Sequence, residues 1–110
     1  MFEMTPKAFF EEKIASKLSD ARGLSDSVNA RYEFDITGDG GGVWTVDLTT
    51  EPGSVSSGST GTAHCVITAG SAAFMDIVSG TMNPLMAFAR GKIKVAGDMG
   101  PLMKLQKVIG

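Results

Sequence analysis

Two short runs of alternating polarity constrain this chain more than anything else in it. In "RYEFDI", Tyr32, Phe34 and Ile36 alternate with Arg31, Glu33 and Asp35; in "WTVDLT", Trp44, Val46 and Leu48 alternate with Thr45, Asp47 and Thr49. Successive strand residues point to opposite faces, so each run reads as a half-buried strand. The "TGDGGG" between them is a turn, and the pair becomes an antiparallel hairpin with its aromatic face inward. A sheet with one apolar face must be covered by another layer, and the rest of the chain has to supply it.

Helical signals flank the hairpin. Thr5-Pro6 reads as an N-cap followed by proline at the first helical position. Phe10, Ile14, Leu18 and Ala21 then share one helical face, and Gly23 is expected to end it. "EPGSVSSGSTGTA" suits either a loop or a polar edge strand. Ala63, Cys65 and Ile67 alternate with His64, Val66 and Thr68, predicting a further strand. Ser71 is expected to cap a short helix carrying Phe74, Ile77 and Val78, with Gly80 as its stop. Asn83-Pro84 starts the next, with Leu85, Met86, Phe88 and Ala89, stopped by Gly91. Lys92 to Val95 alternates as a last strand. Asp98, Gly100 and Pro101 precede a final helix with Leu102, Leu105 and Ile109 on one stripe. The order predicts an α+β fold with helices on one face of a mostly antiparallel sheet.

The 110 residues suit one domain, 1–110, which should bury about two thirds of the surface it exposes when unfolded. One cysteine, Cys65, allows no internal disulfide and fits a reducing compartment. No apolar run approaches membrane-spanning length, the acidic N-terminus lacks a signal-peptide pattern, and "KVIG" is not a peroxisomal address. A soluble, intracellular, cytoplasmic protein is expected. Net charge is only −2, but it is unevenly spread: Met1–Glu51 carries ten acids and five bases, and Arg90–Gly110 five bases and one acid. Such a block is either an ordinary solvated face or a basic edge that meets an anionic surface.

Few residues are suited to bond chemistry. His64 and Cys65 are neighbours on a strand and point apart, so they do not form a nucleophile pair. One histidine and one cysteine are too few for a usual zinc set, and Asp35, Asp39 and Asp47 lack a calcium-loop spacing. "GDGGGV" joins two strands, whereas a phosphate loop opens a helix. Arg90, Lys92 and Lys94 have only Phe88 as an aromatic neighbour, which argues against nucleic acid. The reading is therefore no enzyme, no metal, no cofactor and no nucleic-acid partner. What remains is an apolar surplus rich in methionine, a side chain that fills irregular cores and also suits surfaces that re-pack around varied guests.

At these residues the chain resembles a known family. "WTVDL", "AHCVIT" and "FMDIVSGTMNPLMAFARGKIKVAGDMGPLMKLQKV" follow the pattern of the sterol carrier protein 2 (SCP2) lipid-transfer domain, most closely over Ala87 to Asp98. The sequence departs from that pattern at His64, where an acid is common, at Thr81, where a lysine often stands, and in the polar "SVSSGSTG". The resemblance implies a five-stranded sheet covered on one face by helices, with an apolar tunnel between. It implies a ligand among fatty acids, fatty acyl-CoAs, sterols and phospholipids, and no metal.

On that resemblance the tunnel lining is expected to draw on Phe34 and Trp44 from the hairpin. Phe74, Ile77 and Val78 come from the first short helix, and Met82, Met86 and Phe88 from the second and its approach. Leu102, Met103 and Leu105 come from the last, with Gln106 as a polar anchor if its amide faces inward. Arg90, Lys92, Lys94, Lys104 and Lys107 are expected to meet an anionic bilayer or the phosphates of an acyl-CoA. The alternative is a non-transferring accessory module that docks on a partner enzyme or dimerises. Oligomeric state is not legible in the sequence.

Overall fold

The computed structural model describes residues 5–16, 28–38, 40–49 and 53–105. Thr5 caps the first helix as its sequence predicts. Its hydroxyl accepts from the Ala8 amide at 3.1 Å, and Pro6 occupies the first turn. The helix does not continue as a regular α-helix. After α1 (Pro6–Ala8) it widens into a π-helix over Phe9–Ile14, a form that is rare and concentrated at functional sites. The widening turns both Phe9 and Phe10 inward together with Ile14. The 3.6-residue spacing had selected only Phe10 and Ile14. The Leu18, Ala21 and Gly23 part of that expectation lies outside the described residues.

The sheet has five strands: β1 (Arg31–Thr37), β2 (Gly42–Asp47), β3 (Ser54–Ser57), β4 (Cys65–Gly70) and β5 (Ile93–Gly97), in the order β3-β2-β1-β4-β5. Three of the four pairings are antiparallel; β1 and β4 run parallel. The hairpin pairs Phe34 with Trp44, and Phe34 also lies opposite Ile67, which pairs with Val95; Ser57 extends the row beyond Trp44. One row therefore crosses all five strands, apolar from Trp44 to Val95 and ending at the exposed Ser57. "SVSS" is the edge strand, short and polar, as befits an edge that must not recruit another chain.

Three helices follow the β-rich half: α2 (Ser71–Val78), α3 (Pro84–Ala89) and α4 (Gly100–Met103). Gly70 holds the N-cap position of α2 and Ser71 is its first helical residue, so the helix starts one position earlier than expected. Asn83 caps α3 by accepting from the Leu85 amide at 2.8 Å. The helices bury Phe9, Phe10, Phe74, Ile77, Ala87 and Leu102 against the row of Trp44, Phe34 and Ile67, and so form one layer on one face. Tyr32 fastens the last of them: its buried hydroxyl donates to the Pro101 carbonyl at 2.5 Å, and burial, with the Cys65 thiol adding to it, pushes its pKa well up.

The other face of the sheet is polar. The two buried polar residues among those described, Glu33 and Thr45, are opposite each other on it. The segment after β3 folds over them: Ser59 donates to Glu33 Oε1, and Thr45 donates to the Gly58 carbonyl at 2.8 Å. Asp35, one pleat along from Glu33, is shifted up by desolvation and then by its hydrogen bond with Glu33 and that residue's charge. Asp47 is shifted down. Burial opposes that direction, but Thr49 and the Arg31 guanidinium, 3.2 Å away, prevail. Among the described residues no helix is long and apolar enough to cross a membrane.

Candidate functional site

The interior between sheet and helices is built around an aromatic stack. Phe10 is its hub: its ring lies nearly parallel to Trp44 (4.8 Å, 17°) and to Phe74 (5.2 Å, 17°), and meets Phe34 at 5.0 Å. Phe9 abuts both Phe10 and Phe74 edge-on. The strands fix the partners. Trp44 lies along β2 over Gly42, where a Cβ would meet the ring at 2.9 Å, so a glycine two residues before it leaves the indole room to lie flat. The inward-facing residues carry no ionisable group other than the Tyr32 phenol and the Cys65 thiol. Burial, with the Asp98 charge adding to it, pushes that thiol up to about 11, which keeps it protonated and unreactive near neutral pH. His64 sits outside, accepting from the Arg31 amide at Nδ1 (3.0 Å).

Two clefts open onto this interior from different sides. The first, of about 260 Å³, lies between the π-helix and the β2–β3 edge and is lined by Glu11, Ala15, Trp44, Val55, Ser56 and Ser57. Trp44 is only 4% exposed, and its Nε1 is buried without an acceptor. The second, of about 270 Å³, lies between α3 and α4 and is lined by Asn83, Pro84, Leu85, Leu102 and Met103. α3 packs near β5, at the far edge of the sheet from β3.

The structure divides the expected lining residues into two sets. Phe34, Trp44, Phe74, Ile77, Leu102 and Leu105 are buried in the core, with Val78 and Met82 packed half-buried against it. Met86, Phe88 and Met103 are at the surface, 48%, 37% and 64% exposed. Leu85 and Met99 join them, so nearly all the large side chains of the apolar helix "PLMAFA" face out. A short helix that is apolar all round is normally buried; this one is not. Arg90, Lys92, Lys94 and Lys104 are all exposed in the same stretch of chain. Gln106 and Lys107 lie outside the described residues, as does Asp39. Among the described residues no group of three or more histidines, cysteines and acids is placed to hold a metal. Asp35 and Asp47 face away from the interior, and Asp47 is engaged by Arg31 and Thr49.

Of the first cleft, the sequence pointed to Trp44 alone. Glu11, Ala15, Val55 and Ser57 come together only through the β2–β3 register and the helix seated on it, and no motif marks them. The one usable signal was the "FF" at Phe9-Phe10, too apolar on adjacent positions for a half-exposed α-helix.

Comparison with known proteins gives a consistent result. The model of the SCP-2 sterol transfer family matches residues 10–110. The Xenopus laevis "Hydroxysteroid dehydrogenase-like protein 2" is 39% identical over 85 residues, which is 76% of this chain and 20% of that protein. The chain thus spans about a fifth of the curated relatives it matches. Among solved structures, apo sterol carrier protein 2 of Yarrowia lipolytica superposes with a TM-score of 0.73 at 26% identity, covering 87% of this chain and 83% of that one. Palmitated SCP2L2 of Aedes aegypti gives 0.73 at 27% identity, covering 96% and 95%.

Proposed function

The chain belongs to the SCP-2 sterol transfer family, and we propose that it binds a lipid between its sheet and its helices and exchanges that lipid with membranes. The observation that carries this reading is the polarity of the sheet: the face under the helices offers a continuous apolar row, while both buried polar residues are on the other face. A fatty acid, fatty acyl-CoA, sterol or phospholipid would take its place among Phe34, Phe74, Ile77, Val78 and Leu102, displacing part of the aromatic stack. The palmitate held by the Aedes relative supports an acyl chain as one such guest. Burying about 400 Å² of apolar ligand surface yields on the order of 10 kcal/mol. Lost ligand freedom and ordering offset much of it, leaving an affinity of about micromolar. Burial of apolar area reads size more than shape, so specificity should be broad.

The α3–α4 face is the docking side in this reading. Leu85, Met86 and Met103 supply apolar contact, and Arg90, Lys92, Lys94 and Lys104 supply attraction to anionic lipid. A second reading, an accessory module presenting lipid to a partner enzyme, is favoured by the relatives' greater length and dehydrogenase-like name. No bond-making role falls to this chain in either reading. Uptake of a fluorescent fatty acid tests the binding claim. Ile77→Arg should abolish uptake while far-UV circular dichroism remains that of the folded chain. Unaltered uptake in a folded variant would place the ligand elsewhere.

A further inference from the structure

The first cleft has properties that lipid binding in general does not require. Trp44 is the chain's only tryptophan. It forms a wall of the cleft, and its indole N–H, buried, meets no acceptor among the described residues. Buried donors in native proteins are nearly always paired, so an orphan of this kind points to a group that the protein does not itself provide. Ser57, directly opposite Trp44 across the β2–β3 ladder, lines the same cleft and adds a hydroxyl that both donates and accepts. Ala15 and Val55 supply small apolar walls. The volume, about 260 Å³, is several times the share of one water, about 30 Å³.

Glu11 decides the charge of the guest. Its exposed carboxylate stands on the lining, and it forms no ion pair among the described residues, although Lys7 and Lys13 are on the same helical segment. A negative group entering the cleft meets that charge directly. A neutral hydroxyl would not: once a guest that displaces part of the aromatic stack uncovers the buried indole N–H, the hydroxyl oxygen would accept from it and the hydroxyl proton would go to Ser57 or Glu11. The α3–α4 cleft has the opposite setting, with Lys104 next to its lining residue Met103 and no acid in the lining.

We propose that the cleft between the π-helix and the β2–β3 edge is a subsite for the neutral, hydroxyl-bearing end of an amphipathic lipid, with Trp44 as donor and Glu11 as the group that excludes anionic ends. The proposal rests on the lipid-carrier reading and assigns it a polarity. Neutral alcohols lie with their polar end at Trp44, and carboxylates lie with theirs toward the basic α3–α4 side.

The single tryptophan makes the test direct, because the ¹⁵N-labelled chain has one indole N–H resonance. It is titrated at low salt with 1-dodecanol and, separately, with dodecanoate, which share a chain length. Dodecanol should shift the indole resonance saturably, whereas dodecanoate should shift core methyl resonances and leave the indole in place. Removing the charge with Glu11→Gln should tighten dodecanoate about fivefold, let it shift the indole, and change dodecanol by less than about twofold. Trp44→Phe should keep the core-methyl response to both ligands and weaken dodecanol alone, by about fivefold, as one lost hydrogen bond would. If both ligands shift core methyls while the indole never moves, or if Glu11→Gln affects both alike, the subsite is overturned and the lipid-carrier reading stands. If neither ligand shifts any resonance, the carrier reading fails and the subsite with it.

Discussion

Two clefts lined by described residues are of nearly equal volume and opposite construction. The one beside Trp44 is walled by side chains that the sheet register and an aromatic stack hold in place. It carries a carboxylate and an unpaired donor. The one between α3 and α4 is lined by Asn83, two leucines, a proline and a methionine, with Asn83, Leu85 and Met103 exposed, and Arg90, Lys92, Lys94 and Lys104 lie in the same stretch of chain. In the proposed reading the first serves recognition, since strand register and stacking hold its groups in place, and the second serves contact with an anionic membrane, since its apolar side chains already face outward. That reading asks a carrier for both properties, and it places them on different edges of one sheet.

Phe10→Ala should have the largest effect and should fall on the first region alone. It removes the hub between Trp44 and Phe74, and loss of a buried phenylalanine costs about 3–5 kcal/mol. Urea unfolding followed by Trp44 fluorescence measures it. A loss below about 1 kcal/mol would mean that the stack is not the frame of that cleft. Tyr32→Phe should cost less, about 1 kcal/mol, because it deletes one net hydrogen bond to the Pro101 carbonyl, which keeps the Lys104 amide as a partner. Its effect should be concentrated in α4, seen as faster amide hydrogen exchange around Leu102 and Met103 with protection in β1 and β2 unchanged.

At the second cleft the expected separation is between stability and transfer. Leu85→Ser with Met103→Ser should change unfolding stability by no more than about 0.5 kcal/mol per site, since both side chains are already exposed. The same pair should slow lipid transfer from vesicles containing anionic phospholipid. Charge reversal at Lys92 and Lys94 should slow it too, and only at low salt. Transfer that is indifferent to all four changes would remove the docking role from this face.

The smallest effect is expected on the outer face, which belongs to neither cleft. The pKa of Asp35 is raised in the folded state, so folding favours its protonated form. Its contribution to stability is therefore greatest below its unfolded value, near 3.9, and is lost as pH rises through the folded value. Asp35→Asn should raise the melting temperature slightly at pH 7, and the advantage should vanish at pH 3, where the wild-type carboxyl is also neutral. Asp47 has the opposite sign: its lowered pKa supports stability above the usual carboxylate range and withdraws it as pH falls.

These two regions also differ in how far the sequence announces them. The hairpin is legible because period-two alternation names both the strand and the face, and Phe34 and Trp44 duly sit inward. The basic, methionine-rich segment is legible because its residues are contiguous, and contiguity survives folding whatever the tertiary arrangement. Its exposure was not legible: apolar periodicity in "PLMAFA" predicts burial, and only packing decides that Pro84 and Ala87 take the inward positions while Leu85, Met86 and Phe88 do not. The Trp44 cleft was the least legible. Ser57 and Glu11 become neighbours of Trp44 through strand register and helix seating, both of them long-range choices. The π-helix that turns two adjacent phenylalanines inward likewise departs from the period used to read it.

In the proposed reading the apolar chain of the guest lies under the helices, between the two clefts, and only its polar end reaches either of them. Intermolecular NOEs from a ¹³C-labelled dodecanoyl chain to the methyl groups of the protein test it most directly. Contacts are expected to Ile67, Ile77 and Leu102, whose side chains face the interior. Contacts confined to Leu85, Met86 and Met103, with none to those three, would place the lipid on the outer surface and contradict it.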